Sequence, residues 1–179
     1  MTSEGTVDLS VIVPVYYNEG SLGCTYDALV KQVFAQHSGM KWEVIFVDDG
    51  SEDGSWREIC DLHQAHRDGL TAIKFRRNFG QVSALLAGMQ QARGRCVVML
   101  SADGQDPPAI INDMLRYHKE EKYEIVIAAR AGRDETWERR VTSRGFYYLM
   151  RALCFQNMPA GGLTLFFRQA HVGSAVEEQ

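Results

Sequence analysis

Short β-branched runs alternate with segments of helical period along nearly the whole chain. That alternation restricts the fold to a mostly parallel sheet covered by helices, a three-layer α/β/α arrangement. Leu9-Ser10-Val11-Ile12-Val13-Pro14-Val15 reads as a first strand, after which Leu22, Tyr26, Leu29, Val30, Val33 and Phe34 recur at helical spacing. Glu43-Val44-Ile45-Phe46-Val47 is a second strand, and Trp56, Ile59, Cys60 and His63 mark a second helix. Residues 70–75 form a third strand; Val82, Leu85, Leu86 and Met89 follow on one helix face, with Gly94 just past its end. Cys96-Val97-Val98-Met99-Leu100 reads as a strand buried on both faces. The next helix carries Ile110, Ile111, Met114 and Leu115, with Pro107 and Pro108 near its first turn, where a missing N–H costs little. Residues 123–129 and Leu163-Thr164-Leu165-Phe166-Phe167 are further strands, separated by a longer helical pattern over residues 136–155.

A chain of 179 residues fits a single domain spanning 1–179 with a core of its own. The last strand has no covering element after it, so the chain reads as truncated or shortened at its C-terminus. Net charge of −4 carries no footprint of a nucleic-acid binder. The basic clusters Lys74-Phe75-Arg76-Arg77 and Arg139-Arg140 with Arg144 suit either phosphate in a groove or solvated helix faces. Cys24, Cys60, Cys96 and Cys154 are far apart and form no Cys-x-x-Cys pair, which predicts buried free thiols in a reducing compartment. His63 and His66 share a helix face, but no thiol or carboxylate set for zinc surrounds them. No signal peptide or apolar membrane span is present in the sequence, so the expected location is cytoplasmic, with peripheral contact at the cytoplasmic face of a membrane as an extension.

Chemistry concentrates at the ends of the strands. In an open α/β sheet, ligands bind in the crevice beyond the carboxyl ends of the strands. Two acidic loops fall there: Val47-Asp48-Asp49-Gly50-Ser51 and Ser101-Ala102-Asp103-Gly104-Gln105-Asp106-Pro107-Pro108. A carboxylate at Asp49 can accept the imide N–H of uracil or the N–H groups of guanine, while Ser51 and Asp53 suit capping of the following helix. Asp103 and Gln105 can present oxygen to Mg²⁺ or Mn²⁺, ions that take further ligands from substrate phosphates; a turn closed by Asp before Pro-Pro is the structural alternative. Arg77-Asn78-Phe79-Gly80-Gln81 opens a helix whose N-terminus can face phosphate or ribose. In Pro14-Val15-Tyr16-Tyr17-Asn18-Glu19-Gly20 an aromatic and a polar side chain can hold a nucleobase; a loop with Asn18 or Ser21 as helix cap is the structural alternative, and capping suits Ser21. Arg130 and Arg133, after another strand, can reach a diphosphate as bidentate donors or stand exposed.

Together these residues resemble a family-2 glycosyltransferase of the GT-A fold, over residues 9–168. The similarity is greatest to the branch that moves sugars onto polyprenyl phosphates, such as dolichyl-phosphate mannosyltransferase and the bactoprenol glucosyltransferases. Its most specific pieces are Val47-Asp48-Asp49-Gly50-Ser51, Arg77-Asn78-Phe79-Gly80-Gln81, Ser101-Ala102-Asp103-Gly104-Gln105-Asp106-Pro107-Pro108, and Glu135-Thr136-Trp137-Glu138-Arg139-Arg140-Val141-Thr142-Ser143-Arg144. The resemblance implies a nucleotide-sugar site of Pro14, Tyr16, Glu19, Asp49, Asn78, Gln81, Ala102 and Arg130. It implies Asp103 as the catalytic and metal-binding carboxylate, with Gln105 as a second metal ligand. The family's Asp-x-Asp stands here as Ser101-Ala102-Asp103, its Asn-Glu is displaced by one position in Tyr17-Asn18-Glu19, and Gly161-Gly162-Leu163 replaces a common acidic residue.

The implied reaction is inverting transfer from a UDP- or GDP-linked sugar, with Mg²⁺ or Mn²⁺ balancing charge on the leaving diphosphate. The implied acceptor is a polyprenyl phosphate, whose oxygen is already anionic, so no strong general base is required. A weakened relative that binds nucleotide sugar without efficient turnover is the alternative, on account of Ser101 and Gly162. A receiver-type signalling domain would need its acidic pair after the first strand, which instead ends in Pro14-Val15-Tyr16. A sugar nucleotidyltransferase would need a Gly-rich basic loop at that same point.

Overall fold

The computed structural model describes residues 7–123, 125–129 and 162–167. Its elements follow the sequence pattern closely: β1 (Leu9–Val15), α1 (Leu22–Gln32), β2 (Trp42–Asp48), α2 (Ser55–Ala65), β3 (Leu70–Lys74), α3 (Gln81–Gln91), β4 (Cys96–Met99), α4 (Ile110–Glu121), β5 (Ile125–Ala129) and β6 (Gly162–Phe167). They build one six-stranded sheet in the order β3-β2-β1-β4-β6-β5. β1 is central and parallel to both neighbours, with Val11 opposite Val44 on one side and Val98 on the other. The order reverses between β1 and β4, which makes the crevice beyond these strands a topological switch point.

One expectation needs extending. The last strand is antiparallel and inserts between β4 and β5, pairing Leu165 with Val98 and with Val126. An apolar run tells how deeply a strand is buried, but its direction depends on where the chain re-enters the sheet.

Alternation along the strands divides the core. Leu9, Val11, Val13 and Val15 of β1, with Val44, Phe46 and Val98, face the buried sides of α1, α2 and α4 through Leu22, Leu29, Ile59, Ile111 and Met114. The opposite face presents Ile12, Ile45, Val47 and Val97 to Ala84, Leu85 and Met89 of α3. Gly88 lets α3 come close: a Cβ there would sit 2.5 Å from a methyl of Ile12. In β4 the expected burial on both faces holds for Val97 and Val98, while Cys96 and Met99 at its ends are half-buried. Cys24 is exposed on α1, contrary to the expected burial, because it lies opposite the stripe formed by Leu22, Tyr26 and Leu29. Residues 136–155 and Cys154 lie outside the described residues.

At the amino end of the sheet a buried carboxylate is fully used. Glu43 accepts the Ser10 hydroxyl at 2.7 Å, the Arg93 backbone N–H at 2.7 Å and two Arg93 guanidinium N–H groups at 2.9 and 2.8 Å. Gly94 donates its N–H to Ser10 Oγ at 2.9 Å. This network ties the α3–β4 connection to the sheet, so Gly94 serves close backbone approach rather than helix termination. Removing the Arg93 side chain would leave the buried Glu43 carboxylate without its counter-charge, whereas Arg93, two-thirds exposed, would remain solvated without Glu43.

Candidate functional site

The loops after β1, β2, β3 and β4 converge beyond the carboxyl ends of those strands. They enclose a cleft of about 320 Å³. Pro14, Tyr16, Asp49, Asn78, Gln81, Ala102 and Asp103, all expected from the sequence, line it together with Val15, Asn18, Gly80 and Ser101.

Asp49 forms the floor and is only 3% exposed. Its Oδ1 accepts the Phe79 N–H at 2.7 Å and its Oδ2 the Gly80 N–H at 2.9 Å. The carboxylate therefore shapes the turn that enters α3, and each oxygen keeps a second lone-pair direction for a ligand. Gly50 makes that contact possible. It has φ of +76°, and a Cβ there would collide with the backbone of Arg77 and Asn78. Asp48 points elsewhere: it is fully buried, accepts the Ser51 N–H at 3.0 Å, and lies 3.8 Å from the Lys74 ammonium.

The loop after β1 is held from both sides. Tyr17 has φ of +54° and donates its N–H to Ser51 Oγ at 3.1 Å; Asn18 donates its N–H to Ser55 Oγ at 2.9 Å. Ser51 thus acts on the neighbouring loop instead of capping α2. Asp53 accepts the Ser55 N–H at 3.1 Å and the Glu19 N–H at 3.3 Å. Burial pushes the Asp53 carboxyl up, but these N–H groups and the Ser55 hydroxyl outweigh it and leave its pKa below the ordinary carboxylate value. Ser21 occupies the N-cap position of α1 without a side-chain cap; its hydroxyl instead donates to the carbonyls of Asn18 and Ala102, each at 2.8 Å. The bond to Ala102 joins the β1 and β4 loops, both of which line the cleft. Asn18 Oδ1 accepts the Tyr16 N–H at 2.9 Å, which leaves the Tyr16 ring 48% exposed at the cleft, edge-on to Tyr17.

Glu19 is placed differently from the rest of the expected set. Its carboxylate accepts the Gly54 N–H at 3.0 Å, at the start of α2, and Asn18 takes the position on the cleft. The displacement of Asn-Glu by one residue was the signal in the sequence for this exchange. Gln105 is also outside the lining; its backbone N–H donates to Asp103 Oδ1 at 3.0 Å. Arg130 and Arg133 lie outside the described residues. His63 accounts for itself structurally, with Nδ1 2.8 Å from the Leu70 carbonyl.

Asp103 is exposed, and its hydrogen bonds among the described residues fall on Oδ1, from the Gln105 N–H and from the Ser101 hydroxyl at 2.6 Å. A single carboxylate with a neighbouring hydroxyl fits Mg²⁺ or Mn²⁺, ions held by one or two carboxylates plus substrate phosphates. No group of three or more His, Cys, Asp or Glu that would form an all-protein metal cage occurs among the described residues. Gly80 and Gln81, in the same lining, bring the N-terminal end of α3 to the cleft, a favourable place for an anion.

Known proteins resemble this chain in sequence and in fold. The family model for glycosyl transferase family 2 matches residues 10–173. An undecaprenyl-phosphate 4-deoxy-4-formamido-L-arabinose transferase of Pectobacterium carotovorum is 33% identical over 171 residues, covering 94% of this chain and 51% of that protein. The chain spans about half the length of the curated relatives it matches. Among solved structures, a mannosyltransferase from Pyrobaculum calidifontis in complex with GDP-Man and Mn²⁺ aligns with a TM-score of 0.64 at 23% identity, covering 89% of this chain and 44% of the other. S. aureus TarS in complex with UDP-GlcNAc aligns with a TM-score of 0.58, also at 23% identity, covering 73% and 36%. These two likenesses are of fold.

Proposed function

The chain belongs to glycosyl transferase family 2, and from that premise we propose that its cleft binds a nucleotide-diphospho-sugar and serves transfer of the sugar to a lipid phosphate. The observation that carries the reading is the facing pair: buried Asp49 on the cleft floor and exposed Asp103 on its wall, both directly beyond parallel strands. Asp49 accepts an N–H of the base through its remaining lone pairs, and the Tyr16 ring flanks that base. The N-terminal end of α3 faces the ribose or phosphate. Asp103, with the Ser101 hydroxyl beside it, would hold the divalent cation; Arg130 is a further diphosphate contact. A bound Mg²⁺ or Mn²⁺ supplies Lewis-acid neutralisation of the leaving diphosphate.

Inverting transfer needs an acceptor oxygen to attack the sugar's anomeric carbon from the face opposite the diphosphate. Among the described lining residues the titratable side chains are Tyr16, Asp49 and Asp103. That set suits an acceptor already anionic near neutral pH, for which a strong general base is dispensable. A relative named for undecaprenyl phosphate supports this acceptor class, and with it a site of action at the cytoplasmic face of a membrane. Structures of this fold bound to GDP-Man and to UDP-GlcNAc leave both bases in play.

A second reading, donor binding with slow turnover, is favoured by Ser101 in place of a carboxylate. Binding and turnover measured on one sample decide between them. The test of the site itself is titration of UDP and GDP with and without Mn²⁺. The ion should tighten binding to the wild-type chain, and Asp103→Ala should remove that gain, a loss of roughly tenfold or more. Equal Mn²⁺ enhancement in both proteins would sink the assignment.

A further inference from the structure

Between Asp68 and Asp103 the sequence holds no acidic residue, although the chain as a whole is acidic; Lys74, Arg76, Arg77, Arg93 and Arg95 all fall in that stretch. Three of these cations are paired within the fold: Lys74 with Asp48, Arg93 with Glu43 and Arg95 with Asp8. Arg76 and Arg77 are exposed, and no carboxylate stands against either among the described residues. The Arg77 guanidinium lies over the Phe79 ring, 4.8 Å from its centroid.

The helix that follows has an unusual outer face. α3 carries no charged residue from Gln81 to Gln91, whereas α2 and α4 each carry several. Val82 and Leu86 stand one turn apart, opposite the buried Ala84 and Gly88, and are 70% and 56% exposed; Phe79, just before the first turn, is 53% exposed. Single exposed apolar residues are ordinary. Three within two turns, on an uncharged helix led by two arginines that no described carboxylate pairs, make a surface with apolar anchors and a cationic edge. Interfacial helices meet anionic lipid with that combination.

We propose that residues 76–86 form the face by which this protein docks on an anionic membrane surface. Asn78, Gly80 and Gln81 of the same segment line the cleft, so docking there would hold the cleft mouth at the level of lipid headgroups. The inference rests on the lipid-phosphate reading above for its purpose, but its test does not need that reading. Arg76 and Arg77 supply attraction to headgroup phosphate, while Phe79, Val82 and Leu86 supply apolar contact below it.

The experiment is sedimentation of the intact chain with vesicles of phosphatidylcholine alone, or with about one third phosphatidylglycerol. Wild-type protein should bind the anionic vesicles only, and less so as salt rises. Arg76→Glu with Arg77→Glu should weaken binding by roughly tenfold or more, and Val82→Ser with Leu86→Ser by several-fold. Arg57→Glu with Arg67→Glu makes the same change in net charge elsewhere and should leave binding within about twofold.

Equal losses in the two charge-reversed proteins would overturn the proposal, since bulk charge would then suffice. So would unchanged vesicle binding by the serine variant accompanied by loss of a dimer in light scattering, which would make the face an interface with a second copy. Titration of UDP and GDP in lipid-free solution, on the same preparations, separates the two readings. Nucleotide binding without vesicle binding overturns the docking face alone; vesicle binding without nucleotide binding sustains the face and sinks the donor site.

Discussion

Asp49 and Asp103 lie beyond parallel strands and face the same cleft, yet they are held in opposite ways. Asp49 is buried, and its partners Phe79 and Gly80 are thirty residues away along the chain. Asp103 is exposed, and its partners Ser101 and Gln105 are two residues away on either side. The first carboxylate is part of the tertiary structure and fixes the turn that enters α3. The second is part of a local turn, with one oxygen left out of it. One side of the cleft is therefore held by contacts distant in sequence, and the other by a turn of its own.

The largest effect should come from disturbing the built side. Asp49→Asn keeps one acceptor but turns an NH₂ toward a backbone N–H, leaving Phe79 or Gly80 unsatisfied. Stability should fall by about 2–3 kcal/mol, and nucleotide affinity should fall with it. Urea unfolding monitored beside a nucleotide titration checks both, and normal stability would mean that the clamp on the turn is dispensable.

Asp103→Ala should behave in the contrary manner. With its bonds confined to one exposed turn, unfolding free energy should change by less than about 0.5 kcal/mol, while the gain from Mn²⁺ disappears. A drop in stability comparable to that of Asp49→Asn would erase the contrast between the two sides.

Ser101→Asp sharpens the comparison further. The Ser101 hydroxyl is 2.6 Å from Asp103 Oδ1, so a carboxylate there would face its neighbour directly. Without the ion the pair repels, and one pKa rises; with it, affinity for Mn²⁺ should increase roughly tenfold. Calorimetry in the presence of nucleoside diphosphate reads the change, and a loss of affinity would remove Ser101 from the cation site.

The smallest effect lies at the other end of the sheet. Burial pushes the Cys96 thiol up to about 11, with Arg95 opposing. A group whose neutral form the fold favours contributes stability below its unfolded value of about 8.5, and loses it as pH rises from there toward 11. Maleimide at neutral pH should therefore label the exposed Cys24 well before Cys96, and melting temperature should decline slightly above pH 9 in wild-type protein but less in Cys96→Ala. Equal labelling of the two thiols would contradict the burial.

The strands and helices of the first hundred residues were legible because burial imposes a period. Leu9, Val11, Val13 and Val15 must alternate to face one core, and Leu22, Tyr26 and Leu29 must recur by turns to cover it. The acidic loops were legible for a related reason: in an open parallel sheet the residues directly after buried strands line the crevice beyond their carboxyl ends, so carboxylates there stand where a ligand would bind. Other features were not. Glu43 read as an ordinary strand residue, since nothing local reveals that Arg93 and Ser10 will satisfy it. Glu19 and Asn18 differ by one position, and which of them reaches the cleft depends on Gly54, far along the chain.

What the residue order determined by itself is therefore everything governed by periodicity and by short-range turn chemistry: the parallel α/β frame, the two acidic rims and the likeness to a sugar-transferring family. What only the tertiary structure decided is set by partners distant in sequence. The antiparallel insertion of β6 depends on where the chain returns, the roles of Ser21, Ser51 and Glu19 depend on which backbone N–H or carbonyl comes within hydrogen-bond reach, and the clamp of Asp49 on the turn into α3 depends on Gly50 letting Arg77 and Asn78 approach. Hydrogen bonds are short and directional, so their partners are settled only when the packing of the core has brought the loops together.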